Sequence, residues 1–269
     1  MAGNSLGRGE YIMNTLLQGK NIVIMGVANH RSIAWGIAQS LHNAGANLIF
    51  TYQGDRLREN VAELSAKLGK ESLLVNCDVT KDEEVEAAFA TIREKVGVIH
   101  GLAHCIAFAK TEELEGEFVN TSRDGYALAQ DISAFSLVAV ARAARPLMTE
   151  GGSIVTMTYL GGERVVQNYN VMGVAKAALD ASVRYLANDL GKENIRVNAI
   201  SAGPIRTLAA KGIRNFNAVL KEIEEKAPLR RTIDQTEVGD TALFLFSNLS
   251  RGITGEILHV DAGYSIIGG

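Results

Sequence analysis

The sequence predicts an open, doubly wound α/β fold: a mostly parallel sheet of seven strands with helices on both faces. Three observations predict it. From residue 20 onward, short apolar runs rich in β-branched residues alternate with longer stretches of helical apolar spacing. Parallel strands need crossover connections, and right-handed crossovers build an open sheet with helices on each side. The strand-like runs are apolar on both sides, as expected for strands covered on both faces.

The elements follow in order. "NIVIMG" (21–26) reads as a buried first strand by its length and β-branched content. "SIAWGIAQSLHNAGA" (32–46) has helical spacing and a glycine stop at Gly45. "NLIFTYQ" (47–53) is the second strand, 55–68 a charged helix, and "SLLVNCDV" (72–79) the third strand. Residues 81–96 are helical and end at Gly97; "VIHGLAHCIAF" (98–108) holds the fourth strand. A long amphipathic stretch runs through 121–148, with Pro146 near its end. "GGSIVTMTYL" (151–160) is the fifth strand, and 169–190 is a helix that ends at Gly191. "IRVNAISAGPI" (195–205) is the sixth strand and its exit loop, 207–225 and 236–247 are helical, and "EILHVDAG" (256–263) is the last strand. With three prolines and neither linker nor repeat, residues 13–269 are expected to form one domain with a small helical excursion.

Composition narrows the function classes. The 269 residues are 47% hydrophobic and 21% charged, with a net charge of −3 and no basic stripe, so nucleic acid is not an expected partner. Cys77 and Cys105 form no CxxC, which suits a reducing cytoplasm and offers no zinc framework. His30, His42, His100, His104 and His259 are scattered without metal-ligand spacing, so each is assigned to core or surface and no metal is expected. No run of 18 apolar residues occurs, so no membrane span is expected. The start, "MAGNSLGRGEYI", lacks a signal-peptide core; residues 1–12 are read as a polar leader foreign to the fold, with Met13 as the natural start.

Candidate site residues cluster after the strands. "GVANHRSIAWG" (26–36) links strand one to helix one, where a dinucleotide pyrophosphate meets free N–H groups and the helix dipole. Gly26 allows a tight turn, Gly36 close helix–sheet packing, and Ser32 a helix cap with its hydroxyl near the phosphates. The pattern departs from GxGxxG, and an ordinary capped turn explains it equally well in isolation. After strand two, Gln53 can hydrogen-bond the adenosine ribose hydroxyl of NAD, while the nearby Arg56 and Arg58 keep an NADP alternative open or are simply a solvated helix start. After strand three, Asp78 is either an acceptor for the adenine amino group, with Val79 beside the ring, or a turn cap.

Tyr169 and Lys176 are seven residues apart, two helical turns, which places them on one face. A lysine ammonium and a helix N-terminus both lower a nearby phenol pKa, and the phenol can donate to an oxygen that gains charge. The same spacing also describes a surface lysine beside a half-buried tyrosine.

Strand five, then tyrosine and lysine on the next helix, then "RVNAISAGPIRT", resembles the short-chain dehydrogenase/reductase superfamily, whose sheet is of the Rossmann type. Most members carry Tyr-x3-Lys with a serine seventeen residues before the lysine. Here Met172 lies four before Lys176 and Tyr159 seventeen before it. That departure, with "SIAWGIAQ", "HCIAFA", "DISAFS", "NYNVMGVAKAALDASVRYLA" and "NAISAGPIRTLAA", resembles bacterial enoyl-acyl-carrier-protein reductases of fatty acid synthesis over about residues 14–268.

The resemblance implies that NADH, in preference to NADPH, reduces a trans-2-enoyl thioester at C3. Tyr169 would stabilise the enolate oxygen, Lys176 would hold the cofactor ribose, and Tyr159 would line the substrate site with a minor catalytic role or serve as packing. The matching motifs make Gly26, Ser32, Ile33, Gln53, Asp78, Val79, Ile106, Lys176, Ile205, Arg206, Thr207, Leu208 and Ala209 cofactor contacts, and Ala109, Tyr159 and Tyr169 substrate contacts. Residues 206–225 resemble a mobile lid, whose apolar Leu208, Ala209, Ile213, Phe216 and Val219 fit an acyl wall or ordinary helix packing. Lys211, Arg214, Arg230 and Arg231 could meet acidic acyl carrier protein or be solvated. A homotetramer and a cytoplasmic location are further expectations. A carbonyl reductase and a non-catalytic dinucleotide sensor are the competing readings; Met172 and Tyr159 argue against the first, Tyr169 and Lys176 against the second.

Overall fold

The structure is a computed structural model that describes residues 15–69, 71–207 and 216–268. The leader 1–12 and the lid residues Leu208, Ala209, Lys211, Ile213 and Arg214 lie outside the described residues. The strands are β1 (Asn21–Met25), β2 (Asn47–Tyr52), β3 (Leu73–Asn76), β4 (Gly101–His104), β5 (Gly152–Thr158), β6 (Ile195–Ala202) and β7 (Ile257–Val260). They form one sheet in the order β3-β2-β1-β4-β5-β6-β7. Every pairing is parallel, so the expected mostly parallel sheet is wholly so among the described residues. Ile22 pairs with Leu48 on one side and Gly101 on the other, which puts the reversal of strand order between β1 and β4.

The connecting helices are α1 (Ile33–Asn43), α2 (Gly54–Ala66), α3 (Asp82–Lys95), α4 (Arg123–Gln130), α5 (Ser136–Ala144), α6 (Asn170–Leu190), α7 (Phe216–Lys226) and α8 (Gln235–Phe246). Alternate side chains of each strand enter opposite cores. Ile22 and Ile24 join Phe50, Trp35, Leu41 and Leu245 on the α1/α8 side. Val23 and Met25 join Phe89, Leu137, Ile154 and Leu179 on the α3/α5/α6 side. That arrangement explains strands with apolar residues on both faces.

Three details differ from the sequence-based expectation. Gly36 serves helix–helix rather than helix–sheet contact: a Cβ there would stand 2.4 Å from the carbonyl oxygen of Gln235 at the start of α8. The stretch 121–148 is two helices joined by one wide π turn, Asp131–Phe135. This turn places Ser133 against the loop after β4, where its hydroxyl accepts from Phe108 N (2.9 Å) and donates to Phe108 O (3.0 Å). The helical run Arg123–Leu147 is also long and apolar enough to cross a membrane by composition, although no 18-residue run is uniformly apolar. Half of its apolar window is buried within the fold, which accounts for its hydropathy as core packing.

Candidate active site

The candidate residues lie along the carboxyl edge of the sheet. Gly26 follows β1, Gln53 follows β2, Asp78 lies just past β3, Ile106 past β4, Tyr159 follows β5, and Ile205 lies past β6. In open α/β sheets this edge, at the reversal of strand order, is where ligands bind.

The first turn is tight. Gly26 has φ +95°, and a Cβ on it would stand 2.1 Å from Cys105 O, so the turn runs flush against the exit of β4. Ser32 occupies the helix-cap position, but its hydroxyl does not cap α1. Instead it accepts from Ala28 N and Asn29 N, each at 3.0 Å, and folds the turn. This corrects the expected helix cap: Ser32, buried, braces the turn that precedes α1. The first turn of α1, with no side-chain cap, presents its leading N–H groups to an anion.

At the far end, Gln53 and Asp78 meet each other. Burial raises the Asp78 carboxyl, but hydrogen bonds from Thr80 and Gln53 and the charge of Lys81 outweigh it and hold the group below its ordinary range. Thr80 donates to Asp78 Oδ1 through both N (3.0 Å) and Oγ1 (2.7 Å), so the turn-cap reading of Asp78 is realised. The carboxylate still lies beside Gln53, and a glutamine amide and a carboxylate side by side fit an adenosine. Arg56 and Arg58 are exposed on α2. Val79 and Ile106 are half-buried against the α3/α5/α6 core, and Ile205 against the α1/α8 core. Arg206 donates to Asn217 Oδ1 (2.6 Å) on α7. Among the described residues no group of histidine, cysteine and carboxylate side chains has metal-binding arrangement.

The centre of the edge holds Tyr159, Tyr169 and Lys176. Tyr169 occupies the cap position before α6. Its ring meets Tyr159 edge-on, with centroids 5.0 Å apart and planes at 78°. It packs with Ala109 on a small apolar cluster of Leu114, Ala129, Val171, Met172 and Ala175, so the predicted substrate residues come together. Lys176, 5% exposed, donates from Nζ to Met157 O at 2.7 Å. Burial pushes its ammonium down to about 8, with the charges of Asp180 and Cys105 pulling the other way.

This overturns one expectation. The lysine is held by the β5 backbone, and burial pushes the Tyr169 phenol up, with Tyr159 and Asp180 adding to the rise. A phenol raised in this way keeps its proton at neutral pH and acts as a neutral hydrogen-bond donor. Tyr159 is pushed up to about 12, by burial first and then by Tyr264, Glu222 and Asp261. These neighbours place its hydroxyl side toward α7 and the C-terminal segment.

The model of the family described as enoyl-(acyl carrier protein) reductase matches residues 26–265. The chain belongs to this family. A Bacillus cereus relative named as an NADH enoyl-acyl-carrier-protein reductase is 71% identical over 254 residues, 94% of this chain and 99% of that protein. A Staphylococcus aureus relative named for NADPH is 59% identical over 252 residues, 93% of this chain and 98% of that protein. The crystal structure of the Bacillus cereus reductase with NADP+ and indole naphthyridinone superposes with a TM-score of 0.93, covering 94% of this chain and 99% of that one at 71% identity. That of the Aquifex aeolicus NADH reductase gives 0.92 at 47% identity, with 94% and 99% covered.

Within this enoyl reductase, several contributors to the site escaped sequence reasoning. Gly161 admits the Tyr169 ring, since a Cβ there would stand 2.4 Å from its Cδ1. Met157 contributes only a carbonyl, which no side-chain pattern reveals. Tyr264 and Glu222 reach Tyr159 from far along the chain and are joined by a 3.2 Å hydrogen bond. His104 is fully buried between Thr156 Oγ1 (2.8 Å) and Ser136 Oγ (2.9 Å), a core role as expected. The one signal that could have found part of this is "DISAFS", whose Ser133 in the wide turn meets the loop after β4 and whose Ser136 at the start of α5 meets His104 at the end of β4.

Proposed function

We propose that this chain is an NADH-dependent enoyl-acyl-carrier-protein reductase of fatty acid synthesis, with Tyr169 as the hydrogen-bond donor to the substrate oxygen. Bound NADH supplies a hydride, which goes to C3 of a trans-2-enoyl thioester. Negative charge then collects on the thioester carbonyl oxygen, two carbons from the site of attack. The Tyr169 phenol, kept protonated by burial, donates to that oxygen, and the neutral donor costs no reorganisation as charge develops. Lys176, fixed by Met157 O, holds the nicotinamide ribose. The uncapped N-terminus of α1 holds the pyrophosphate, and Gln53 with Asp78 the adenosine. Ala109 and Tyr159 border the acyl group.

The observation that carries this reading is the position of the donor. A ketone reductase must stabilise an oxyanion on the carbon that receives hydride. Here the residue four before Lys176 is buried Met172, and the phenol stands one helical turn further back at the cap of α6. A donor displaced by a turn suits an oxygen displaced by two carbons. The acyl carrier protein is the macromolecular partner, the enzyme is cytoplasmic, and it assembles as a homotetramer.

The test is to follow NADH absorbance with a crotonyl thioester and then with an acetoacetyl thioester. Turnover of the first and little of the second is expected. A folded, NADH-binding protein that reduces only the ketone is a carbonyl reductase, and one that reduces neither is a sensor.

A further inference from the structure

Asp180 stands one turn beyond Lys176 on the same face of α6. It is 4% exposed, and both its carboxyl oxygens, like the hydroxyl of Thr158 at the end of β5, are buried without a hydrogen-bond partner. Burial raises the Asp180 carboxyl above its ordinary range, and the nearby Thr158 hydroxyl and the Lys176 charge oppose that rise without a hydrogen bond closing to either oxygen. Burying a carboxyl with so little compensation is costly, and an opposite charge is the usual remedy. Gly162 makes room for it: a Cβ there would stand 2.8 Å from Asp180 Oδ2 and 3.1 Å from the backbone of Lys176 and Ala177. The carboxyl is therefore wedged between the loop after β5 and the helix that carries Lys176.

We propose that Asp180 is a positioning residue of the reductase, the counter-charge that keeps the Lys176 ammonium charged and in place for the cofactor ribose. This rests on the reading of Lys176 given above. The groups around the pair come from every packed element. Lys176 faces His104 on β4 and Cys105 just past it, as well as Asp180. Asp180 faces Glu163 in the loop after β5, Tyr169 at the start of α6, and Arg184 one turn further along α6. Of the groups that favour a charged Lys176, Asp180 is the strongest. His104 is a neutral neighbour that burial holds unprotonated, down to about 3, so it supplies no competing cation. Without the carboxylate, burial acts on the lysine nearly unopposed, and the amine loses its proton at lower pH.

The experiment titrates NADH onto the apoprotein by fluorescence across the alkaline range. Wild type is compared with Asp180→Asn, Asp180→Ser, Asp180→Glu and Lys176→Met, with folding checked by circular dichroism. In Asp180→Asn the alkaline loss of NADH affinity is expected to begin about one pH unit lower, so that affinity at the wild-type midpoint falls several-fold toward tenfold. Asp180→Ser gives the same shift and serves where the asparagine variant does not fold. Asp180→Glu keeps the wild-type midpoint to within about half a unit. In the Lys176→Met background, Asp180→Asn adds less than about twofold, because the two act as a unit. Neutral variants that bind NADH like wild type at every pH, while Lys176→Met binds weakly, overturn the role of Asp180 alone. Unchanged binding by Lys176→Met overturns the reading of Lys176 itself.

Discussion

Gly161→Ala places a methyl group where the Tyr169 ring now sits. The added Cβ would stand 2.4 Å from Cδ1 and 2.8 Å from Cε1 of that ring. Carbon atoms rest at about 3.5–4.0 Å, so ring or loop must move by about 1 Å. The loop has little room to give, since the Gly161 carbonyl oxygen already lies 2.8 Å from where a Cβ on Gly173 would be. The ring therefore moves, and the phenol with it. A displacement of about 1 Å at a reacting centre costs roughly 100-fold in rate, or about 2.7 kcal/mol in the barrier. Overpacking of this kind also costs about 1–3 kcal/mol of stability. The assay is kcat for a crotonyl thioester with NADH saturating, alongside a thermal melt. Gly191→Ala is the control, because a Cβ there meets nothing within 4 Å. The expected result is a kcat loss of roughly 100-fold in Gly161→Ala, with an NADH affinity close to that of wild type. A folded Gly161→Ala enzyme with wild-type kcat would refute the claim that the seat of this ring sets the chemistry.

Three further outcomes follow from the same geometry. Burial holds His104 neutral in the fold, down to about 3 against an ordinary value of 6.5. The unfolded chain takes up that proton first, so stability is complete above pH 6.5 and falls by up to about 1.4 kcal/mol per pH unit as pH drops toward 3. Urea unfolding between pH 7 and 4 should show a shallower loss for His104→Gln than for wild type, and parallel curves would contradict this. Asp234 caps α8, accepting from Thr236 N and Glu237 N while the Glu237 side chain reaches back. Asp234→Ala should lower stability by about 1 kcal/mol with kcat unchanged; a loss of turnover would show that α8 acts on the site. Gln53, paired with Asp78, should give a Kd for NADH at least about tenfold below that for NADPH, measured by fluorescence. Equal affinities would reassign the exposed Arg56 and Arg58 to a phosphate.

Much of this was legible in the sequence because it depends on local pattern. Strands apolar on both sides and separated by helical spacing define a covered parallel sheet, and a candidate after each of the first six strands falls on its carboxyl edge. The spacing of Met172 and Tyr159 from Lys176 separates the two tyrosines by position alone. What stayed hidden depends on contacts between distant segments or on backbone atoms. The direction of Lys176 is set by a carbonyl nineteen residues away, so the expected pull on the Tyr169 phenol did not materialise. The Ser32 hydroxyl does not cap α1 because it accepts from two backbone N–H groups of its own loop. The partner of Gly36 is Gln235, at the far end of the chain, which periodicity cannot supply. The wide turn at Asp131–Phe135 has no simple residue signature and lies within one long amphipathic run of the sequence.

In the proposed function Tyr169, and not its edge-on neighbour Tyr159, donates to the substrate oxygen. The most direct measurement is kcat for a crotonyl thioester in Tyr169→Phe and Tyr159→Phe, each of which removes one hydroxyl and keeps the ring contact. Loss of a single oxyanion donor costs roughly 100-fold or more. That loss is expected in Tyr169→Phe, with a change below about tenfold in Tyr159→Phe. The reverse order would contradict it and move the donor to Tyr159.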